Sequence, residues 1–208
     1  MKNLSWLLLI VLLVACKPPS IEEIIADPSY VKECREINST IQKEKAGYMN
    51  LFPGVSTPQQ VVQEIGEPER IDKSVPYHSY ADRVDAWAYD SFSLYFKEDA
   101  LKYISIYSEE EALTLEEIVK KYGCPEIIVH HYFNDMNIGG SLVNLESFNF
   151  VTLAIPSIGI EFSFDGFPIS LEKKPYHTFI TEPLSLQEFL SLEIKGEGEV
   201  VSWSDAVK

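Results

Sequence analysis

The 208-residue chain predicts an α+β fold of two tandem units. Each unit is a short capped helix followed by three to four antiparallel strands, and an N-terminal helical segment precedes the pair. Three observations carry this expectation. A fourteen-residue phrase, STPQQVVQEIGEPE from Ser56 to Glu69, returns as LTLEEIVKKYGCPE from Leu113 to Glu126 at a gap-free spacing of 57. After each copy comes a stretch that alternates in twos and is rich in aromatic and β-branched residues, Ala86 to Tyr107 and Thr152 to Leu171. Finally, 46% hydrophobic and 12% aromatic residues are enough for a real core, which excludes a disordered chain.

The elements follow in chain order. Met1-Lys2-Asn3 is a short basic stretch and Trp6 to Leu13 an apolar run, too short for a membrane-spanning helix of about 20 residues. It fits a secretory signal. The run ends in Leu13-Val14-Ala15-Cys16, which resembles the bacterial lipobox, where the cysteine is lipidated and becomes the mature N-terminus. Residues 1–15 are therefore expected to be a signal peptide and Cys16 the lipidation site. Several acyl chains on one residue would hold the chain to a membrane, where one would bind only marginally. Removing residues 1–15, whose one charged side chain is Lys2, leaves 193 residues and takes the net charge from −15 to −16. Such acidity argues against nucleic acid and against anionic lipid surfaces beyond the anchor.

Residues 16–50 form the N-terminal segment. Asp27-Pro28 reads as an N-cap and first helical residue, and Val31, Cys34 and Ile41 follow helical spacing, so a helix is expected across Ile21 to Lys45. Unit one spans 51–110 and unit two 111–175. In each, Thr57 or Thr114 stands at an N-cap, with Gln60 or Glu117 three residues on, the capping-box spacing. Apolar positions 58, 61, 62 and 65, then 115, 118, 119 and 122, form one buried stripe. Gly66 and Gly123 are expected as left-handed C-terminal residues, each with a proline two further on. The strand stretches align at a spacing of 66, which sets Phe96 beside Phe162 and Asp99 beside Asp165. Asp165-Gly166 reads as a hairpin and Asp99-Ala100 as its weaker counterpart. Unit two carries extra residues around the polar stretch from Asn134 to Ser141. Residues 176–208 are a C-terminal extension, with a helix expected over Leu184 to Leu192 and a last strand through Val200, Val201 and Trp203.

A helix ending in G-x-P-E, followed by strands carrying W-x-Y and a final F-x-x-D hairpin, resembles the repeat unit of the β-lactamase-inhibitor-protein-like fold. SmpA/OmlA (BamE)-like lipoproteins, the small subunits of outer-membrane assembly machinery, carry the same unit singly. The resemblance rests on Gly54 to Pro68, Trp87, Tyr89 and Phe92 to Ile104, then Thr114 to Glu126 and Ile155 to Phe164. It covers about half of the mature chain and departs where Leu153 stands at the position of Trp87. The resemblance implies the fold and a habit of binding other proteins. It transfers no catalytic residue.

Motif chemistry is sparse. There is no G-x-S-x-G, no H-E-x-x-H and no phosphate-binding glycine loop. Four histidines occur, His78, His130, His131 and His177. His130 and His131 with Asp135 are the best metal candidates, but neighbouring side chains on a strand point to opposite faces, so no metal is expected. One of the two rings should be exposed and the other packed. A Cys124–His131 nucleophile pair is equally weak, and no catalytic residue and no cofactor are expected. Cys34 and Cys124 have two readings, a disulfide in an oxidising compartment or two buried thiols. More informative are the tyrosines. Phe92, Leu94 and Phe96 share one face with Ile104 and Ile106, which leaves Tyr95, Tyr103 and Tyr107 on the other as a candidate protein-binding face. The expected function is a lipid-anchored, extracytoplasmic, non-enzymatic binding or scaffold lipoprotein at the cell membrane or outer membrane. The alternatives are an inhibitor of an extracytoplasmic hydrolase and a subunit of an outer-membrane assembly complex.

Overall fold

The computed structural model describes residues 20–37, 45–76, 83–107, 112–133, 136–138, 141–143, 148–193 and 198–208. Residues 1–15, Cys16, residues 38–44, His78, Asn134 and Asp135 lie outside the described residues.

The N-terminal segment is two short helices rather than one, α1 (Ile21–Ala26) and α2 (Lys32–Ile37). The break falls at Asp27, which is held extended at ψ 124° because the following Pro28 disfavours helical geometry before it. Asp27 accepts hydrogen bonds from the Ser29 N–H and hydroxyl at 2.8 and 2.6 Å, so the turn is closed by its own side chain.

The repeated phrase forms α3 (Pro58–Ile65) and α4 (Leu115–Tyr122), and both carry complete capping boxes. The Thr57 N–H donates to Gln60 Oε1 at 2.9 Å and the Thr114 N–H to Glu117 Oε2 at 2.8 Å. Val61, Ile118 and Val119 are buried, and Val62, Ile65 and Tyr122 pack against the same core at its margin. The two terminal glycines depart from expectation. Gly66 and Gly123 have φ of 89° and 90° with ψ of −177° and −173°. This is positive φ with an extended ψ, a region open in practice to glycine alone, and it turns the chain straight into a strand.

The strands are β1 (Arg70–Pro76), β2 (Arg83–Ala88), β3 (Phe92–Lys97), β4 (Ala100–Ile106), β5 (Ile127–Phe133), β6 (Met136–Ile138), β7 (Ser141–Val143), β8 (Phe148–Ile155), β9 (Ile160–Asp165), β10 (His177–Thr181) and β11 (Gly198–Val200). Nine of them form one antiparallel sheet in the order β1-β2-β3-β4-β10-β9-β8-β5-β11, and β6 with β7 make a separate hairpin. Two four-stranded meanders thus meet last strand to last strand. Within them the ladders correspond: Arg70 faces Ala88 in one, Ile127 faces Ala154 in the other.

Strand pairing corrects the expected match of Phe96 with Phe162. Trp87 faces Leu94, whereas Leu153 faces Phe162, so Leu94 holds the place of Phe162. The two-residue slip comes from the preceding turn. Tyr89 and Phe92 close a tight turn through a 2.9 Å backbone bond, while the other meander spends a 3-10 turn, Pro156–Ile158, and Gly159 on the same reversal. The hairpins differ as well. Glu98 and Asp99, both at positive φ, form the turn between β3 and β4, with Lys97 facing Ala100. Asp165-Gly166 opens a longer connection through a cis Phe167–Pro168 bond, and Ile169 bridges Val207 before β10 begins.

Helix α5 (Leu186–Glu193) starts after Ser185, whose hydroxyl and N–H bond Glu188. Trp203 is not in a strand. It opens α6 (Trp203–Ala206), capped by Ser202, and is buried with its N–H donating to Tyr30 O at 2.8 Å. Cys34 and Cys124 are joined by a disulfide with Cα atoms 5.8 Å apart, which ties α2 to the end of α4. The main core lies between one sheet face and helices α2, α3, α4 and α6, with Leu94, Leu101, Ile104, Ile128, Ile160 and Phe164 among its buried side chains. On the opposite face a smaller cluster, Ile127, Val129, Ala154 and Phe189, is covered at the β5–β8 end by α5 together with Ile25 of α1.

Gly66 isolates the cost of its backbone state, because an added Cβ there would meet nothing within 4 Å. Gly66→Ala should therefore lower stability in urea unfolding by about 1–2 kcal/mol through conformation alone. Glu67→Ala beside it should stay within about 0.5 kcal/mol.

Candidate protein-binding face

The alternation of a strand sends odd and even side chains to opposite faces. On β3 and β4 this buries Phe92, Leu94, Phe96 and Ile104 and turns Tyr95 and Tyr103 outward, with Tyr107 following just beyond the end of β4. The three tyrosines singled out in the sequence do share one face. Tyr95 faces Tyr103 across the ladder, and the Tyr95 and Tyr107 hydroxyls are 3.3 Å apart. Tyr107 is 51% exposed; Tyr95 and Tyr103 are half-buried. Burial first, then the Tyr107 hydroxyl, pushes the Tyr95 phenol well above its ordinary range, so it stays a neutral donor.

β10 completes the face. Its Phe179 stacks on Tyr103 at 5.6 Å between centroids, and its His177 stacks on Tyr107 at 5.2 Å. His177 Nε2 also lies 2.7 Å from Ser105 Oγ. Tyr176 and Phe150, 6.4 Å apart and edge to face, extend the aromatic file toward β8. Acidic groups flank it: Glu161 is across from Phe179, Asp165 is close enough to Tyr176 to help raise its phenol after burial does so, and Glu182 pairs with Lys102 at 2.7 Å. Sequence reasoning missed the β10 half of the face because it placed residues 176–208 in an extension. The alternation in His177–Thr181 was the available signal; its pairing partner was not.

Ser105 and His177 stand at the separation of a nucleophile and its base, but Ser105 is 3% exposed. Its hydroxyl orients the imidazole under Tyr107 rather than facing a solvent-side substrate. Cys124 is taken up by the disulfide, which removes the thiol from the Cys124–His131 pair. Among the described residues no group of three or more His, Cys, Asp or Glu side chains could hold a metal ion.

His130 and His131 do lie on opposite faces of β5, yet both are partly buried, not one exposed and one packed. His130 stacks on Phe167 at 3.9 Å with its Nδ1 3.4 Å from Glu199. His131 stacks on Phe150 at 4.3 Å, at the end of the aromatic file, opposite Gly198, where a side chain would crowd its Nδ1 at 3.1 Å.

No family model and no curated protein matches the chain. Among solved structures it is similar to a DUF4309 family protein, YjgB, from Bacillus subtilis subsp. subtilis strain 168. The identity there is 15% over 75% of this chain and 99% of that one, with a TM-score of 0.35. It is also similar to an extracellular protein containing an SCP domain from Bacillus anthracis strain Ames, at 13% identity over 78% of this chain and 55% of that one, with a TM-score of 0.39. Neither likeness carries a functional assignment. No helix among the described residues is long and apolar enough to cross a membrane.

The site has a pH signature. Burial, then the neighbouring His130, lowers the His131 imidazole from 6.5 to about 4. In the unfolded chain the ring protonates near its ordinary value, so the unfolded state binds more protons between these limits. Stability from this group is complete above pH 6.5 and is lost as pH falls toward 4. The loss should be about 1–2 kcal/mol, less than a fully buried ring would give because water still reaches part of it. Urea titrations across this window should show a shallower slope for His131→Phe than for the parent; identical slopes would contradict it.

Proposed function

We propose that the protein is a bacterial lipoprotein, lipidated on Cys16 after loss of residues 1–15, that acts as a non-enzymatic protein-binding or scaffold module of the cell envelope. The observation that carries the binding reading is the file of aromatic side chains running from Tyr95 to Phe150 across an open sheet face. Among the described residues α5 and Ile25 of α1 pack on that face, and their cover lies at the β5–β8 end. Aromatic rings held in place by each other offer contact area at little further entropy cost. Because Tyr103 and Phe179 stack face to face, as do Tyr107 and His177, the rings present edges and hydroxyls outward. Edges suit the mixed polar and apolar surface of a protein better than the flat ring of a sugar, which needs a free aromatic face.

The two meanders read as two copies of one unit, in line with the resemblance to the β-lactamase-inhibitor-protein-like fold. Equal capping boxes, equal glycine geometry and corresponding first ladders support this reading. The anchor reading is supported by the Leu-Val-Ala-Cys junction and by a globular part that begins a few residues after it.

The test is a crosslinking pull-down from native membranes with the full-length chain. Tyr103→Ala with Tyr107→Ala should leave the fold intact by far-ultraviolet circular dichroism and a cooperative thermal unfolding transition. Partner affinity should fall by about thirtyfold, the equivalent of one lost anchor of about 2 kcal/mol. Undiminished recovery of the same partners would place binding elsewhere. In the same preparation Cys16→Ser should leave the membrane fraction. Whether the captured partner is a soluble hydrolase or a membrane complex separates inhibitor from assembly subunit.

A further inference from the structure

The inner face of the sheet is incompletely roofed. Eight strands from β1 to β5 span about 38 Å at about 4.8 Å each. An eight-residue helix is about 12 Å long and about 10 Å across, so each covers two or three strands whichever way it lies. α3 is fixed at one side, where Tyr89 donates to Gly66 O at 3.0 Å. α4 is fixed at the other, where Tyr122 packs on Phe162 at 5.7 Å. Over the seam of β4 and β10, the end of α4 and the chain around Tyr48 border a half-open cavity of about 300 Å³.

Among the described residues the cavity has an apolar floor and a single charge. Ile106, Ile160, Phe162 and Ile180 line the bottom, and Met49, 48% exposed, stands at the mouth. Among the described residues Lys121 is the one charged residue of the lining, in a chain with 17 basic against 32 acidic residues. Its Nζ sits 4.9 Å over the Tyr122 ring, so one wall rises from Phe162 through Tyr122 to a cation. Among the described residues no carboxylate pairs with that ammonium.

We propose that this cavity binds the acyl chain of a small anionic amphiphile, with the carboxylate against Lys121. Some 300 Å³ holds roughly ten methylene-sized groups at about 30 Å³ each, so a chain of about ten carbons is the match. The apolar floor takes the chain, and the Lys121 ammonium selects the sign of the headgroup. This site is on the opposite side of the sheet from the aromatic face and does not rest on the protein-binding reading.

Isothermal titration of the mature chain with decanoate, below its aggregation range and at neutral pH, tests it. Decanoate should bind saturably with one-to-one stoichiometry and about tenfold more tightly than decyltrimethylammonium. Lys121→Glu, on an exposed helix position, should weaken decanoate by about fivefold to tenfold and erase the preference for the anion. Thr178→Phe fills the cavity from its floor and should abolish binding of both, with thermal unfolding confirming that it folds. Absence of saturable decanoate binding would overturn the proposal. So would equal affinities for the two amphiphiles, or decanoate binding that neither variant changes.

Discussion

The ladder between β4 and β10 is the pairing on which the rest of the molecule depends. Ile104 faces Ile180 and Ser105 faces Phe179 across it. Without it, each meander would end in an exposed strand carrying a row of unpaired backbone groups, a template for aggregation. With it, the two become one sheet, and Ile104 and Ile180 are buried together under a continuous core. The outer edge at β1 is protected differently, by a register shift between Asp72 and Val75, by Lys73, and by Pro76 at its end.

The candidate face is a product of the same seam. Tyr103 comes from β4 and Phe179 from β10; Tyr107 follows β4 and His177 belongs to β10. Both of these stacked pairs cross from one meander to the other, and so does the Ser105–His177 hydrogen bond. Neither meander alone contains the face. The inner cavity opens over the same seam, with Ile106 of β4 and Thr178 and Ile180 of β10 in its lining.

Local physics was legible in the sequence and long-range pairing was not. Thr57, Gln60, Thr114 and Glu117 announced two capped helices because a capping box is contained within four residues. Period-two alternation separated Leu94 and Ile104 from Tyr95 and Tyr103 for the same reason. By contrast, β10 joins β4 from more than seventy residues away, and nothing local in His177–Thr181 names that partner. The offset of Phe96 against Phe162 failed because a 3-10 turn added two residues without disturbing the alternation on either side. Trp203 read as strand from its β-propensity, but Ser202 caps it into a helical turn whose ring completes the core beside Tyr30. Asp27-Pro28 was read as the start of a helix, where the restriction on the residue before proline made it an end.

Native-state hydrogen exchange at the seam tests the central claim most directly. If the β4–β10 ladder fuses the meanders into one cooperative sheet, the bonded amides of β4 and β10 open only with the whole molecule. Their exchange free energies should equal those of β8 and β9 and should track global stability as urea is added. Amides of β10 and β4 that exchange through a lower-energy opening, while β2–β3 and β8–β9 stay protected, would show two separate bodies and contradict it.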